Sequence, residues 1–238
     1  MAPTFDRRHL FRASGAALGV VATGLVHGGL RRAHAADNNG PIRLIANENP
    51  YGPSASAQEA MANALADGWM YATTEARVLR GLIAEREGVE PSNVLITAGS
   101  GELLKMAGLS FGQIGDVVAA RPTFSMLVGY VRSTGGTVHE IDLDKNMIHD
   151  LAAMEGRISD NTSLVYVCNP NNPTGTLSDA DTLRSFIDTV ESRTTVFVDE
   201  AYVDLLEDPS SNAMVDQVKA GKNVIIARTF SKIHGMAG

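Results

Sequence analysis

Short apolar runs without polar alternation, separated by helical patterns, constrain the fold more than any other feature of this sequence. Clear examples are residues 94–96, 164–168 and 224–227. Runs of this kind are typical of strands that are buried on both faces, as in a parallel sheet. We predict six strands, at 93–98, 116–120, 137–141, 163–168, 195–198 and 224–229. Predicted helices alternate with them, at 54–67, 75–87, 101–111, 123–134, 150–158, 178–191 and 213–220. The alternation indicates an α/β fold with a mainly parallel sheet flanked by helices.

The first 35 residues have a different character from the rest. A basic stretch containing Arg7 and Arg8 precedes a weakly apolar run at 13–26, and small residues follow at 33–35. This order is typical of a signal peptide, and the paired arginines indicate the twin-arginine pathway. The apolar run is shorter than the roughly 20 residues of a membrane span. We therefore expect residues 1–35 to direct export to the periplasm, where the peptide is cleaved or retained as an anchor.

The charge of the chain argues against nucleic acid as a partner. The formal net charge is −7, and residues 1–35 contribute five arginines and one aspartate. The remaining 15 basic and 26 acidic residues give −11 for the mature chain, whereas phosphate binding needs a basic face. A single cysteine excludes an internal disulfide and a cysteine-built metal site. The histidines show no metal-binding spacing, so we predict no metal.

Polar clusters follow several of the predicted strands. They are residues 99–101, 169–175, 199–202 and 229–232. The carboxyl ends of parallel strands meet at one edge of the sheet, which is where open α/β sheets bind ligands. We therefore expect the four clusters to line one pocket.

The residue types in these clusters suggest a particular chemistry. Lys232 is either a surface lysine or an amine nucleophile, and Asp199 is either a helix N-cap or the partner of a cation or ring nitrogen. The glycines around Ser100 open a predicted helix and suit an anion. Leu104 stands where a dinucleotide motif needs glycine, which argues against a nicotinamide cofactor. Together with Asn172, held between prolines, these residues describe a pyridoxal phosphate site.

Four motifs in this order resemble one family. They are residues 47–53, 169–175, 198–202 and 229–238. The sequence is similar to fold type I, class I/II aminotransferases, and most of all to the histidinol-phosphate aminotransferase branch. The resemblance implies the large domain of a pyridoxal phosphate enzyme. It implies that this enzyme moves an amino group between an amino acid and a 2-oxo acid.

The resemblance also assigns roles to residues. Lys232 would form the Schiff base with the cofactor and carry protons, and Asp199 would pair with its ring nitrogen. Asn172 and Tyr202 would bind the ring oxygen, and Phe124 would stack on the ring.

The remaining assignments concern the cofactor phosphate and the substrate. Ser100, Gly101, Thr229 and Ser231 would bind the phosphate. Tyr71 would reach the phosphate in a neighbouring subunit, which implies a homodimer. Tyr51 would line the substrate entrance.

Family members continue well beyond the point where this chain stops, six residues after Lys232. We expect 36–53 to be an N-terminal segment and 54–238 to be an incomplete large domain that lacks the C-terminal small domain. Two alternatives remain: an amino acid decarboxylase of the same fold, and a non-catalytic remnant. The sequence does not identify the amino donor.

Overall fold

The computed structural model describes residues 44–238. The predicted signal peptide, with its paired arginines, and residues 36–43 lie outside the described residues. Strands β1 to β5 are Asp116–Arg121, Val138–Asp142, Thr162–Cys168, Thr195–Asp199 and Val224–Ala227. Helices α1 to α8 are Ala55–Ala64, Thr73–Glu87, Ser100–Phe111, Met126–Ser133, Leu151–Gly156, Ala180–Val190, Pro209–Asn212 and Val215–Lys219. Short 3₁₀ turns occupy Leu65–Asp67, Pro91–Asn93 and Val203–Leu205.

The five strands form one parallel sheet in the order β2-β1-β3-β4-β5. This confirms the predicted α/β fold with a parallel sheet. The last residues of the neighbouring strands β3 and β4, Cys168 and Asp199, are in register with each other. All five carboxyl ends therefore lie at one edge, and the loops that follow β3, β4 and β5 are neighbours there.

Helices cover both faces of the sheet. Val165, Val167 and Val198 on one face pack with Leu183 and Ile187 of α6. The other face, which carries Tyr166, Cys168 and Phe197, packs with α3 and α4. Burial on both faces explains why the strands read as continuous apolar runs. None of the helices among residues 44–238 is long and apolar enough to cross a membrane.

The predicted strand at 93–98 is wrong. Residues 94–97 follow the turn Pro91–Asn93 in an unpaired conformation, and Leu95 is 58% exposed. A strand needs a hydrogen-bonded neighbour, and the segment forms no ladder with any described strand. A cavity of about 570 Å³ separates it from the outer edge of β5. The apolar run at 94–96 has the composition of a strand, but a strand also needs a paired neighbour, which depends on tertiary contacts.

Candidate active site

The ends of β3, β4 and β5 are joined by bonds beyond the regular ladder. The backbone N–H of Asn169 donates to the carbonyl of Asp199 at 2.9 Å, and that of Glu200 donates to the carbonyl of Ala227 at 2.8 Å. These bonds fix the start of each polar loop relative to its neighbour. Three of the four predicted clusters therefore leave adjacent points of the same sheet edge.

Asp199 is the buried carboxylate of this edge, with 2% of the residue exposed. Its Oδ2 accepts from the Tyr166 hydroxyl and its Oδ1 from the backbone N–H of Ala201, each at 3.2 Å. Burial raises the pKa of Asp199 to about 6, while these two donors and Lys232 act in the opposite direction. Asp199 caps no helix, because the next helical turn begins at Val203 and has Tyr202 as its N-cap. The carboxylate is thus placed to meet a positively charged or N–H-bearing group.

Lys232 lies in the loop after β5, close to the carboxylate. Its Nζ donates to the carbonyl of Ala46 at 2.7 Å and lies 5.5 Å from the centroid of the Tyr202 ring. Its charge helps to lower the pKa of Asp199. The amine therefore converges with the aromatic ring and the buried carboxylate, although Lys232 stands 30 positions after Tyr202 and 33 positions after Asp199.

The Tyr202 hydroxyl accepts from two amide groups. The Nδ2 of Asn47 lies 3.0 Å from this oxygen, and the Nδ2 of Asn172 lies 3.5 Å from it. With its oxygen occupied by donors, the hydroxyl is left to donate its own proton to a further acceptor. Sequence reasoning placed Asn172 and Tyr202 together but gave no role to Asn47, which has a left-handed φ of 51°.

The N-terminal motif, residues 47–53, covers the lysine loop. Asn49 Nδ2 donates to the carbonyl of Ile233 at 2.8 Å. Gly235 has a φ of 67°, and a Cβ there would overlap the backbone of Gly52. The motif appeared in the sequence as a resemblance, but the contacts that make Asn47 and Asn49 site residues join positions over 150 apart.

The predicted phosphate cradle comprises Ser100, Gly101, Thr229 and Ser231. Helix α3 begins at Ser100, and its N-cap Gly99 has no side chain to occupy the first N–H groups. The hydroxyls of Thr229 and Ser231 lie 2.9 Å apart. Such N–H groups and hydroxyls suit an anion.

One residue of the predicted cradle, Thr229, lines the cavity beside β5. Thr97 and Leu103, which bracket the start of α3, line the same cavity as Thr229. Ser100, Gly101 and Ser231 are not among the residues that line it.

Phe124 lies beside the buried carboxylate through its neighbour Cys168. It packs against the core that contains Tyr166 and Cys168. The Phe124 loop is held by Asn171, which accepts from the Thr123 hydroxyl at 2.8 Å.

Two predicted residues are not brought to this cluster. Tyr71 is 94% exposed and Tyr51 is 89% exposed. Tyr51 lies within the N-terminal motif, and its backbone N–H donates to Asn49 Oδ1 at 3.0 Å. Tyr71 adjoins Trp69, which is 83% exposed.

A buried ion pair links the first residues of the loops that follow β4 and β5. Glu200, 1% exposed, accepts from Arg228 at 2.9 Å and from the backbone N–H of Met214 at 2.7 Å. Arg228 also bonds Glu87 of α2 at 3.0 Å. The residues flanking Asp199 and Thr229 are thereby tied together, a role that sequence reasoning missed because Glu200 and Arg228 look like ordinary surface charges.

Comparison with known proteins identifies the family. Residues 39–238 match the family described as aminotransferase class I and II. A histidinol-phosphate aminotransferase of Moorella thermoacetica is 40% identical over 199 residues, 83% of this chain and 51% of that protein. One from Caldicellulosiruptor saccharolyticus is 36% identical over 197 residues, 82% of this chain and 55% of that protein.

A solved structure shows the same fold. The histidinol-phosphate aminotransferase of Sinorhizobium meliloti in complex with pyridoxal-5'-phosphate matches with a TM-score of 0.71 at 29% identity. The match covers 81% of this chain and 52% of that one. The chain spans about half the length of the curated relatives it matches. With the family model covering residues 39–238, this chain belongs to the aminotransferase class I and II family.

Proposed function

We propose that this chain provides the cofactor-binding part of a pyridoxal phosphate-dependent aminotransferase, similar to histidinol-phosphate aminotransferases. The observation that carries the proposal is the convergence of Lys232, Tyr202 and the buried Asp199 at one sheet edge. The amine lies 5.5 Å from the Tyr202 ring, and its charge acts on the carboxylate. A surface lysine has no need of this arrangement.

The residues present fit pyridoxal phosphate. Asp199 is a buried carboxylate with an elevated pKa, which suits a protonated ring nitrogen as its partner. Tyr202 has a hydroxyl proton free to meet a ring oxygen. The uncapped start of α3 with Thr229 and Ser231 suits the phosphate.

Bound in this site, the cofactor would supply an electron sink for a substrate carbanion. Lys232 would attach the cofactor's aldehyde and then carry a proton at its Nζ. Asp199 would hold the proton on the ring nitrogen, and Phe124 would limit the movement of the ring. Tyr202, held by Asn47 and Asn172, would keep the ring oxygen in one orientation.

Covalent labelling tests the attachment. Purified protein would be incubated with pyridoxal phosphate, reduced with borohydride and mapped by peptide mass spectrometry. We expect the label on Lys232 and its loss in Lys232→Ala, with Lys145→Ala, an exposed lysine, as the control. A label that persists at a defined peptide in Lys232→Ala would contradict the assignment.

Transamination tests the reaction class. An amino acid and a 2-oxo acid are the proposed substrates, and the names of the relatives make histidinol phosphate the first amino donor to assay. Aromatic amino acids would be assayed beside it, with 2-oxoglutarate as acceptor. Release of carbon dioxide without amino transfer would indicate the decarboxylase alternative, and the absence of both reactions would indicate a remnant.

We also propose a homodimer in which Tyr71 reaches the partner's cofactor phosphate. The exposure of Tyr71, Trp69 and Leu65, each at least 80%, supports a covered surface here. Sedimentation should show a dimer that Tyr71→Phe preserves while cofactor affinity falls. A monomer at micromolar concentration would contradict this.

Export by the twin-arginine pathway remains a proposal from the sequence of residues 1–35. This pathway carries folded proteins, so the cofactor could be loaded before export. Changing both Arg7 and Arg8 to lysine should leave the protein in the cytoplasm. Fractionation that still recovers it from the periplasm would contradict the route.

A further inference from the structure

Tyr166 lies inside the core, one strand away from Asp199. It precedes Cys168 by two residues on β3, and Cys168 is in register with Asp199. Alternate residues of a strand share a face, so Tyr166 and Asp199 lie on the same side of the sheet. Tyr166 is fully buried, and its hydroxyl reaches along the sheet to the carboxylate.

The Tyr166 bond completes the fixation of Asp199. Its hydroxyl donates to Oδ2 at 3.2 Å, while the N–H of Ala201 donates to Oδ1. The two donors come from different parts of the chain and hold the two carboxylate oxygens separately, so they fix the plane of the group. The ring of Phe197, 5.9 Å from that of Tyr166, holds the phenol in place.

The other groups that face Asp199 cannot replace this donor. They are the Cys168 thiol, the Ala201 N–H and Lys232. The thiol donates to the carbonyl of Pro170 at 3.5 Å. Burial raises the pKa of Cys168 to about 12 and that of Tyr166 well above its ordinary value, so both remain neutral. Lys232 is the cation of the group, and the proposed function gives its amine to the cofactor.

We propose that Tyr166 is a positioning residue that aims the Asp199 carboxylate at the ring nitrogen of the cofactor and favours its ionised form. This inference rests on the proposed function, because it needs a ring nitrogen to act on. The hydroxyl supports the carboxylate from within the core, where Tyr166 is fully buried. It leaves the remaining lone pairs of Asp199 for the site.

A titration of the cofactor-free chain tests the hydrogen bond. The carboxyl carbon of Asp199 would be followed by ¹³C NMR against pH in wild type, Tyr166→Phe and Tyr130→Phe. Tyr130 lies on α4 with its ring beside Lys105, and serves as the matched control. Loss of a donor to the charged form should raise the pKa of Asp199 in Tyr166→Phe alone. An unchanged pKa would overturn the proposal.

Two cofactor analogues test the aim of the carboxylate. Dissociation constants would be measured for pyridoxal phosphate and for its deaza analogue, in which carbon replaces the ring nitrogen. We expect the preference for pyridoxal phosphate to fall about tenfold in Tyr166→Phe, as for the loss of a hydrogen bond to a charged acceptor. In an Asp199→Asn background the same change should leave the preference unaltered. Equal weakening of both compounds would show a packing role and overturn the proposal.

A measurement on the wild type covers the case in which Tyr166→Phe fails to fold. The Cζ resonance of Tyr166 should shift with the same midpoint as the Asp199 carboxyl, and an independent midpoint would overturn the proposal. A chain that binds neither compound would refute the proposed function. It would refute the positioning role as well, even with the hydrogen bond seen by NMR.

Discussion

Replacing Asp199 with asparagine should stabilise the cofactor-free protein while it damages the site. The carboxylate is buried, and burial raises its pKa from 3.8 to about 6. Keeping it charged at neutral pH therefore costs folding free energy. Asparagine has the same shape and no charge. Its amide oxygen can accept from the Ala201 N–H, and its amide N–H can donate to the oxygen of the Tyr166 hydroxyl.

The pKa gives the size and the sign of the effect. The shift is about two units, and at about 1.4 kcal/mol per unit the ionised group costs about 3 kcal/mol. The folded protein holds the proton of Asp199 more tightly than the unfolded chain does. Its contribution to stability is therefore fully present below about pH 4 and is lost as the pH rises through about 6. Asparagine removes this loss.

Urea unfolding of both cofactor-free proteins between pH 4 and 7.5 would measure the difference. We expect Asp199→Asn to match the wild type near pH 4 and to exceed it by about 2–3 kcal/mol at pH 7.5. The variant should still bind pyridoxal phosphate, whereas any transaminase rate should fall by orders of magnitude. Parallel stability curves across this range, or a less stable variant at pH 7.5, would refute the argument that burial dominates at this carboxylate.

Three further results are expected from the same structure. Arg228→Met should lower the unfolding free energy by about 3–5 kcal/mol because Glu200 is left as an unpaired buried charge, and adding Glu200→Gln should restore part of it in urea titrations. Gly235→Ala should destabilise the protein and weaken cofactor attachment, because the new Cβ would overlap the N-terminal motif. The control is Gly175→Ala, where the φ is a similar 70° but the space is open, and this variant should lose only about 1–3 kcal/mol of unfolding free energy. Burial lowers the pKa of His149 to about 4. Its contribution to the unfolding free energy, about 3 kcal/mol above pH 6.5, should therefore disappear as the pH falls towards 4. His149→Leu should flatten this part of the acid-unfolding curve.

Five of the six strands predicted from the sequence form the sheet, whereas the predicted strand at 93–98 is wrong. The apolar runs at 164–168 and 224–227 form β3 and β5, and both pair with the apolar strand β4. At these positions the local pattern and the tertiary pairing agree. The run at 94–96 has the same local pattern, but β5 does not pair with it in the described residues. Local hydrophobicity identifies a segment that can be buried, whereas a strand exists only where a second backbone lies beside it.

The sequence by itself determined which residue types stand at the strand ends. An amine at 232, a carboxylate at 199 and an asparagine at 172 are chemistry that can be named before any coordinate is known, since each follows an apolar run in a pattern of parallel strands. Tertiary structure alone decided that Asn47 meets the Tyr202 hydroxyl, that Tyr166 supports Asp199 and that Arg228 neutralises Glu200. These contacts join residues 28 to 155 positions apart. No local pattern encodes such distances, because they are fixed by the strand order and by which side chains share a face.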